Sequence, residues 1–208
     1  MNAPSVWMPI LAYLLGSIPI GWLVATIFYK TDIRKQGSGN IGATNALRQF
    51  GTKVGVIVMI LDMLKGIAAV LLARHFFGGG HAMVSVCGLL AILGHIFPIW
   101  LKFKGGKGVA TAAGVFAALS TLSLLIALSV FILIVARTRY VSLGSIIAAT
   151  VFGIGTFFDQ LTRPSTDWVL LLLVGVIVLM IIVKHKDNIQ RLLKGEENKI
   201  SFNQKGKS

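Results

Sequence analysis

Acid is what this 208-residue chain has least of: seven Asp and Glu stand against twenty Lys and Arg, for a formal net charge of +13. Charge of either sign is sparse, at 13% of residues, about half the share of an ordinary globular domain. Cysteine occurs once, at Cys87, which excludes an internal disulfide. No cluster of His, Cys, Asp and Glu has metal-ligand spacing, so we expect neither metal nor cofactor. Apolar–polar alternation is also lacking, which argues against a membrane β-barrel. What the chain does have is apolar sequence: 55% of residues, a mean hydropathy of +0.82, and continuous runs near 6–29, 54–73, 82–101, 109–136, 141–158 and 168–183. Most can cross a hydrocarbon core of ~30 Å as a helix. The composition predicts an all-α integral membrane protein surrounded by lipid, with no nucleic-acid partner and no obligate protein partner.

The first run has no basic leader and outlasts the usual signal length, so it is expected to remain as the first helix. Basic residues then set the orientation. Five lie within 30–53, three within 102–107, two at 137–139 and seven from Lys184 onward, leaving only Lys65, Arg74 and Arg163 elsewhere. Placing those four segments on the cytoplasmic side satisfies the positive-inside rule. The run 109–136 is the difficulty, because a single helix of that length extends about 42 Å and puts Lys102, Lys104 and Lys107 opposite Arg137 and Arg139. Split near Ser120 and Thr121, it restores the pattern. The expected architecture is a seven-helix bundle, N-terminus outside and C-terminus cytoplasmic, with a short helix pair within 109–136. Residues 1–208 read as one membrane-embedded domain. Its basic tail begins helical, with Ile189, Leu192 and Leu193 on one face, and is expected to be partly disordered after about residue 195, the final QKGKS included.

Three cytoplasmic segments carry more glycine, lysine and amide side chains than connectors need. The first, TDIRKQGSGNIGATNALR, contains the spacing G-x-G-x-x-G at Gly37, Gly39 and Gly42, with Asp62 twenty residues further on. That is the letter pattern of a dinucleotide-binding turn, but the flanks are apolar spans and no βαβ unit is available, so the fingerprint does not apply. The glycines still permit positive φ and can turn successive N–H groups toward an anion, with Ser38, Asn40, Thr44 and Asn45 adding polar groups. Arg48 can grip a phosphate through two parallel bonds. The second segment, GHIFPIWLKFKGGKGVAT, puts Lys104, Gly105, Gly106, Lys107 and Gly108 before a helix N-terminus, which suits an anion. It is not a Walker loop, since Gly108 stands where a Ser or Thr is needed. The third, KHKDNIQRLLKGEENK, sets His185 and Asn188 on one helical face, with Arg191 near it. Lys194, Glu196, Glu197 and Lys199 read as a solvated tail, and Asp62 and Lys65, three apart within a span, as a structural ion pair.

Taken together, these segments resemble the three motifs of the bacterial membrane glycerol-3-phosphate acyltransferases of the PlsY type, in order and over essentially the whole chain. The resemblance implies transfer of a fatty acyl group from acyl phosphate to the 1-hydroxyl of sn-glycerol 3-phosphate, giving lysophosphatidic acid and phosphate, at the cytoplasmic side of the bacterial inner membrane. On this reading His185, Lys104 and Lys107 are the expected catalytic residues. Ser38, Gly39, Asn40, Asn45, Arg48, His95, Gly105, Gly106 and Asn188 are the expected substrate-binding residues. The general base is open between His185, His95 and a substrate phosphate oxygen, with the last favoured. The histidine-plus-four-then-aspartate pattern of commoner glycerolipid acyltransferases is missing, since Trp100 stands five positions after His95. A small membrane transporter for a phosphorylated solute is the competing reading. It is disfavoured because the polar segments gather on one side, whereas transporters bind near the midplane.

Overall fold

The structure is a computed structural model that describes residues 4–77 and 81–201. Ten α-helices account for nearly all of it: α1 Pro4–Ser17, α2 Ile20–Tyr29, α3 Ala43–Phe50, α4 Thr52–Phe77, α5 His81–Ile96, α6 Val109–Leu119, α7 Thr121–Thr138, α8 Val141–Leu161, α9 Trp168–Lys184 and α10 Lys186–Leu193. Four apolar helices are long enough to cross a membrane alone, and six spans result if the bent pairs α1–α2 and α9–α10 each count as one. The fold is thus an all-helical membrane bundle.

The first apolar run is not the single helix expected. It breaks after Ser17 and resumes at Ile20 with a bend of 42°. Pro19 is the cause: it lacks an N–H to continue the ladder and its ring disfavours helical geometry at Ile18. The run 109–136 is broken at Ser120, where the sequence places the split. Its halves are unequal, however, since α7 has 18 residues while α6 has 11, or about 16 Å of rise. Only α6 is short, and it packs against α4.

Helices approach closely where small residues meet. Ideal Cβ atoms on Gly16 of α1 and Gly94 of α5 would lie 1.9 Å from the Ala91 carbonyl oxygen and 2.3 Å from that of Tyr13. Likewise, a Cβ on Gly114 of α6 would sit 2.0 Å from the Met63 carbonyl oxygen of α4. In lipid, apolar side chains gain nothing by meeting each other instead of acyl chains, so such backbone contact is what association rests on. Large side chains face outward accordingly, Leu71, Ile132, Leu172 and Leu179 among them.

The tail differs from expectation. α10 turns 54° away from α9, and after Gly195 (φ 73°) the chain runs back toward the bundle. Ile200 is buried, packs with Leu47 and Val135, and donates its N–H to the Arg139 carbonyl at 2.8 Å. The tail does begin helical, as α10, but Leu193 is exposed. The expected disorder of QKGKS lies outside the described residues.

Gly114→Val would drive a branched side chain into the Met63 carbonyl and should destabilise by about 1–3 kcal/mol or more. Gly175, in α9, has open space at its Cβ position, so Gly175→Ala is the matched control. Thermal midpoints in detergent should fall for the first variant and not for the second.

Candidate active site

The three polar segments meet at one end of the bundle. The first is folded around Asn45, which is buried. Its Nδ2 donates to the carbonyls of Gln36 at 3.0 Å and Asn40 at 2.9 Å, and its Oδ1 accepts the Ser38 N–H at 3.2 Å. Gly37 (φ 56°) and Gly39 (φ 70°) supply the left-handed turns this requires. Asn40 Oδ1 accepts the Gly42 N–H at 2.8 Å, and α3 begins. One turn on, Arg48 donates from Nη2 to the Asn198 carbonyl at 2.8 Å, while its Nε is buried with no hydrogen-bond partner among the described residues.

The second segment folds over His95. Gly105 N–H donates to the Ile96 carbonyl at 3.2 Å and Gly106 N–H to the His95 carbonyl at 3.0 Å. A Cβ on Gly106 would lie 2.0 Å from His95 Nε2, so only glycine lets the loop lie against this ring. Lys107 then points inward and donates to Asn188 Oδ1. Burial is the main cause that lowers Lys107, to about 8, with Arg191 and Arg48 adding repulsion and Glu197 opposing it.

In the third segment His185 is the hinge between α9 and α10. Its Nδ1 lies 2.8 Å from the Ile181 carbonyl, which can only accept, so Nδ1 carries the proton and Nε2 keeps a lone pair. Burial, and then Lys107, push its pKa down to about 4, so the ring is neutral at physiological pH. Asn188 donates to Glu197 Oε1 at 2.8 Å, Arg191 to Oε2 at 2.8 Å and Ser142 to Oε1 at 3.0 Å. Burial works against the Glu197 charge, but these three donors outweigh it and hold the carboxyl below the ordinary glutamate range. Glu197 is therefore a built-in part of the site and not a solvated tail residue, because the strap after Gly195 carries it under α8 and α10. Lys194, Glu196 and Lys199 are exposed.

A cavity of about 250 Å³ opens between these parts. Its polar end is lined by Ser38, Asn40, Asn45, Arg48, Lys107, His185, Asn188 and Glu197, and by two buried groups from deeper in the bundle, Asp62 and His95. Asp62 Oδ1 pairs with Lys65 at 2.8 Å, as the sequence suggests, but the carboxylate also faces the cavity. From there the cavity continues between α6, α7, α8 and α9 along an apolar wall that includes Phe116, Leu128, Phe131 and Phe152. Sequence gave no means of locating this groove.

Four expected site residues do not line the cavity. Gly39, Gly105 and Gly106 shape it from behind through the turns just described. Lys104 is exposed on the turn where Lys102 (φ 52°) and Phe103 (φ 62°) are both left-handed, and that turn carries its side chain away from the cavity. A catalytic Lys104 does not fit this placement. Asp62, Glu197 and Ser142 were missed by sequence reasoning. An intramembrane carboxylate flagged Asp62, and nothing local distinguishes Glu197 from Glu196.

The described residues contain no group of three His, Cys, Asp and Glu placed to hold a metal. The pattern of the family described as Glycerol-3-phosphate acyltransferase matches residues 6–195. The chain belongs to this family. A glycerol-3-phosphate acyltransferase of Trichlorobacter lovleyi is 52% identical over 190 residues, covering 90% of this chain and 93% of that one. Glycerol-3-phosphate acyltransferase 2 of Bacillus anthracis is 50% identical, covering 92% and 96%. Among solved structures, the glycerol 3-phosphate form of PlsY, an integral membrane glycerol 3-phosphate acyltransferase, superposes with a TM-score of 0.88 at 40% identity over 96% of both chains. The lysophosphatidic acid form gives 0.84 at the same identity. Family membership makes the chain an acyltransferase of phospholipid synthesis, and the transporter reading has no support.

Lys107 must be charged to hold an anion, and its lowered pKa means that it discharges as the pH rises past about 8. The acyltransferase kcat/KM should therefore fall through that region. Lys107→Arg should shift the alkaline limb upward if the limb belongs to Lys107. An unmoved limb assigns it elsewhere.

Proposed function

We propose that the chain transfers an acyl group from acyl phosphate to the 1-hydroxyl of sn-glycerol 3-phosphate, releasing phosphate and lysophosphatidic acid. The observation that carries this is a pair of half-buried cations, Arg48 and Lys107, the Arg48 Nε buried without a partner among the described residues, placed where a polar pocket opens into an apolar groove. Buried donors without partners are rare, and here they face a space suited to phosphate. The groove suits the acyl chain.

In this mechanism the 1-hydroxyl oxygen attacks the acyl carbonyl carbon, the bond from that carbon to the phosphate oxygen breaks, and the hydroxyl proton leaves on the phosphate. No acyl-enzyme forms, because the mixed anhydride is already activated. Two anions held side by side by Arg48 and Lys107 make the attack effectively unimolecular. His185, neutral and with a free Nε2 lone pair, accepts a hydrogen bond from the 2-hydroxyl of glycerol 3-phosphate and so orients the substrate, leaving the 1-hydroxyl proton to the phosphate, while Asn188 positions Lys107. Ser38 and Asn40 contribute donors at the phosphate, and Asn45 acts by holding their loop. Lys104, outside the cavity, attracts anionic substrate to the rim.

We also propose seven crossings, with α1–α2 as one bent span, then α4 to α9, the N-terminus outside, and the site at the cytoplasmic face of the bacterial inner membrane. The gathering of the basic segments at one end, including the turn at Arg139 that holds Ile200, favours this parity. In a Cys87→Ser background, a cysteine at Ser165 should react with an impermeant thiol reagent on intact cells and one at Lys104 should not. The reverse result would sink the topology.

The activity assay pairs labelled glycerol 3-phosphate with either acyl phosphate or acyl-CoA, and product should form only with acyl phosphate. Arg48→Lys keeps the charge but loses the planar two-bond grip, so one charge-assisted bond of about 1.5–3 kcal/mol corresponds to a roughly ten- to hundredfold fall in kcat/KM. Lys194→Ala, on the exposed tail, is the control. Near wild-type kinetics for Arg48→Lys would remove Arg48 from the phosphate site.

A further inference from the structure

The mechanism above leaves unused a cluster of charged groups buried at the inner wall of the cavity. Lys65 Nζ, inside the bundle, is surrounded by three acceptors from three separate elements. These are the Ile18 carbonyl at the α1–α2 break at 2.9 Å, Asp62 Oδ1 of its own helix at 2.8 Å, and His95 Nδ1 of α5 at 3.0 Å. An ammonium has only donors, so a protonated Nδ1 would set two donors face to face at 3.0 Å. Asp62 Oδ1 is the one alternative partner for an Nδ1–H. It lies further off, at 3.4 Å, and neither that contact nor its 2.8 Å ion pair with Lys65 has hydrogen-bond geometry.

We infer that the Asp62–Lys65 pair locks His95 into the tautomer with its proton on Nε2, making His95 a fixed neutral donor to an anionic oxygen of the phosphorylated substrate. Nε2 has no hydrogen-bond partner among the described residues, His95 lines the cavity, and the bare Cα of Gly106 brings the ring against the loop that delivers Lys107. His185 is held the other way round, proton on Nδ1 and lone pair on Nε2. The two imidazoles of the cavity thus have opposite and complementary roles, and His95, lacking a free lone pair, is removed from the candidates for general base. Lys65 and Asp62 are positioning residues that act through His95. The donor role rests on the phosphoryl-substrate reading given above; the tautomer assignment does not.

The test begins with nitrogen NMR of the wild-type protein, labelled with ¹⁵N-histidine and held in lipid nanodiscs, with His95→Gln and His185→Gln used to assign the rings. The expected spectrum shows His95 protonated at Nε2 alone and His185 at Nδ1 alone. A proton on Nδ1 of His95, or an imidazolium, would overturn the lock whatever the enzyme's substrate proves to be. The paired change Asp62→Leu with Lys65→Met removes both charges together and should let the His95 ring populate both tautomers; an unchanged spectrum would show that the pair does not set it. Kinetics then test the donor. A glutamine amide reaches the position of Nε2 and an asparagine amide that of Nδ1, so His95→Gln should retain within about tenfold of wild-type kcat/KM while His95→Asn loses roughly ten- to hundredfold. Equal losses in both, with the tautomer as expected, would overturn the donor role while leaving the lock in place. If acyl phosphate is not a donor for the wild-type enzyme, the functional reading fails and the NMR result still stands.

Discussion

Positive charge is costly to bury beside lipid, and the arrangement at the polar end of this bundle follows from that cost. Arg48 and Lys107 line a cavity with walls of helix, Arg191 stands just behind, and Glu197 is the built-in carboxylate among them. Removing an ion from water costs several kcal/mol that only close opposite charge returns. Glu197 returns part of it. The remaining positive charge is left for an anion, so a phosphorylated substrate would complete a structure that is otherwise electrically unfinished. The same carboxylate fixes Asn188, which in turn holds Lys107, so one residue of the tail sets both the field and the geometry.

Bringing these groups to one place requires backbone that a straight transmembrane helix cannot provide. The bundle is interrupted at Pro19, at the glycine loop before Val109, at Ser120 and at His185. Irregular backbone survives at membrane depth only where its polar groups find partners inside the protein. Lys65 takes the Ile18 carbonyl freed at the first break. The carbonyls of His95 and Ile96, left over where α5 ends, are taken by the amides of Gly106 and Gly105. The first two breaks are thus repaired by groups at or just behind the site, and there bundle integrity and the shape of the site depend on the same contacts.

How much of this was legible in the sequence follows from whether the signal was local. Apolar runs, the break at Ser120 and the three polar segments were readable because hydropathy and glycine content are properties of short windows. The G-x-G-x-x-G spacing was correctly refused, and its glycines have a different use: Gly37 and Gly39 need positive φ, while Gly42, at φ −81°, merely precedes a short helix. Glu197 was misread because its partners Ser142 and Asn188 lie 55 and 9 residues away, and no pattern in the tail reports them. The bend at Pro19 was legible in principle; a prolonged apolar run masked it. The apolar groove was beyond reach, since it is made of ordinary Phe, Leu and Ala side chains whose meaning lies in the gap they leave between four helices.

Among the described residues, none of the cavity hydroxyls of Ser38, Thr44, Ser142 and Ser145 hydrogen-bonds to a histidine, so no Ser–His pair stands ready to form an acyl-enzyme. For the proposed transfer from an activated donor, an enzyme need not make a strong base or a thiolate; it needs hydrogen-bond donors aimed correctly and water displaced. The electrostatics agree. His185 is pushed away from basicity, to about 4, and Glu197 is kept fully charged and saturated with donors, so neither is tuned as a proton carrier near neutral pH. Lys107 is brought near the physiological range, and by burial, which an incoming phosphate would reverse by pairing with it. The strongest energetic change on binding therefore falls on the residue that grips the substrate. The shape of the cavity, set by glycines against carbonyls and by a strap folded under α10, carries the rest.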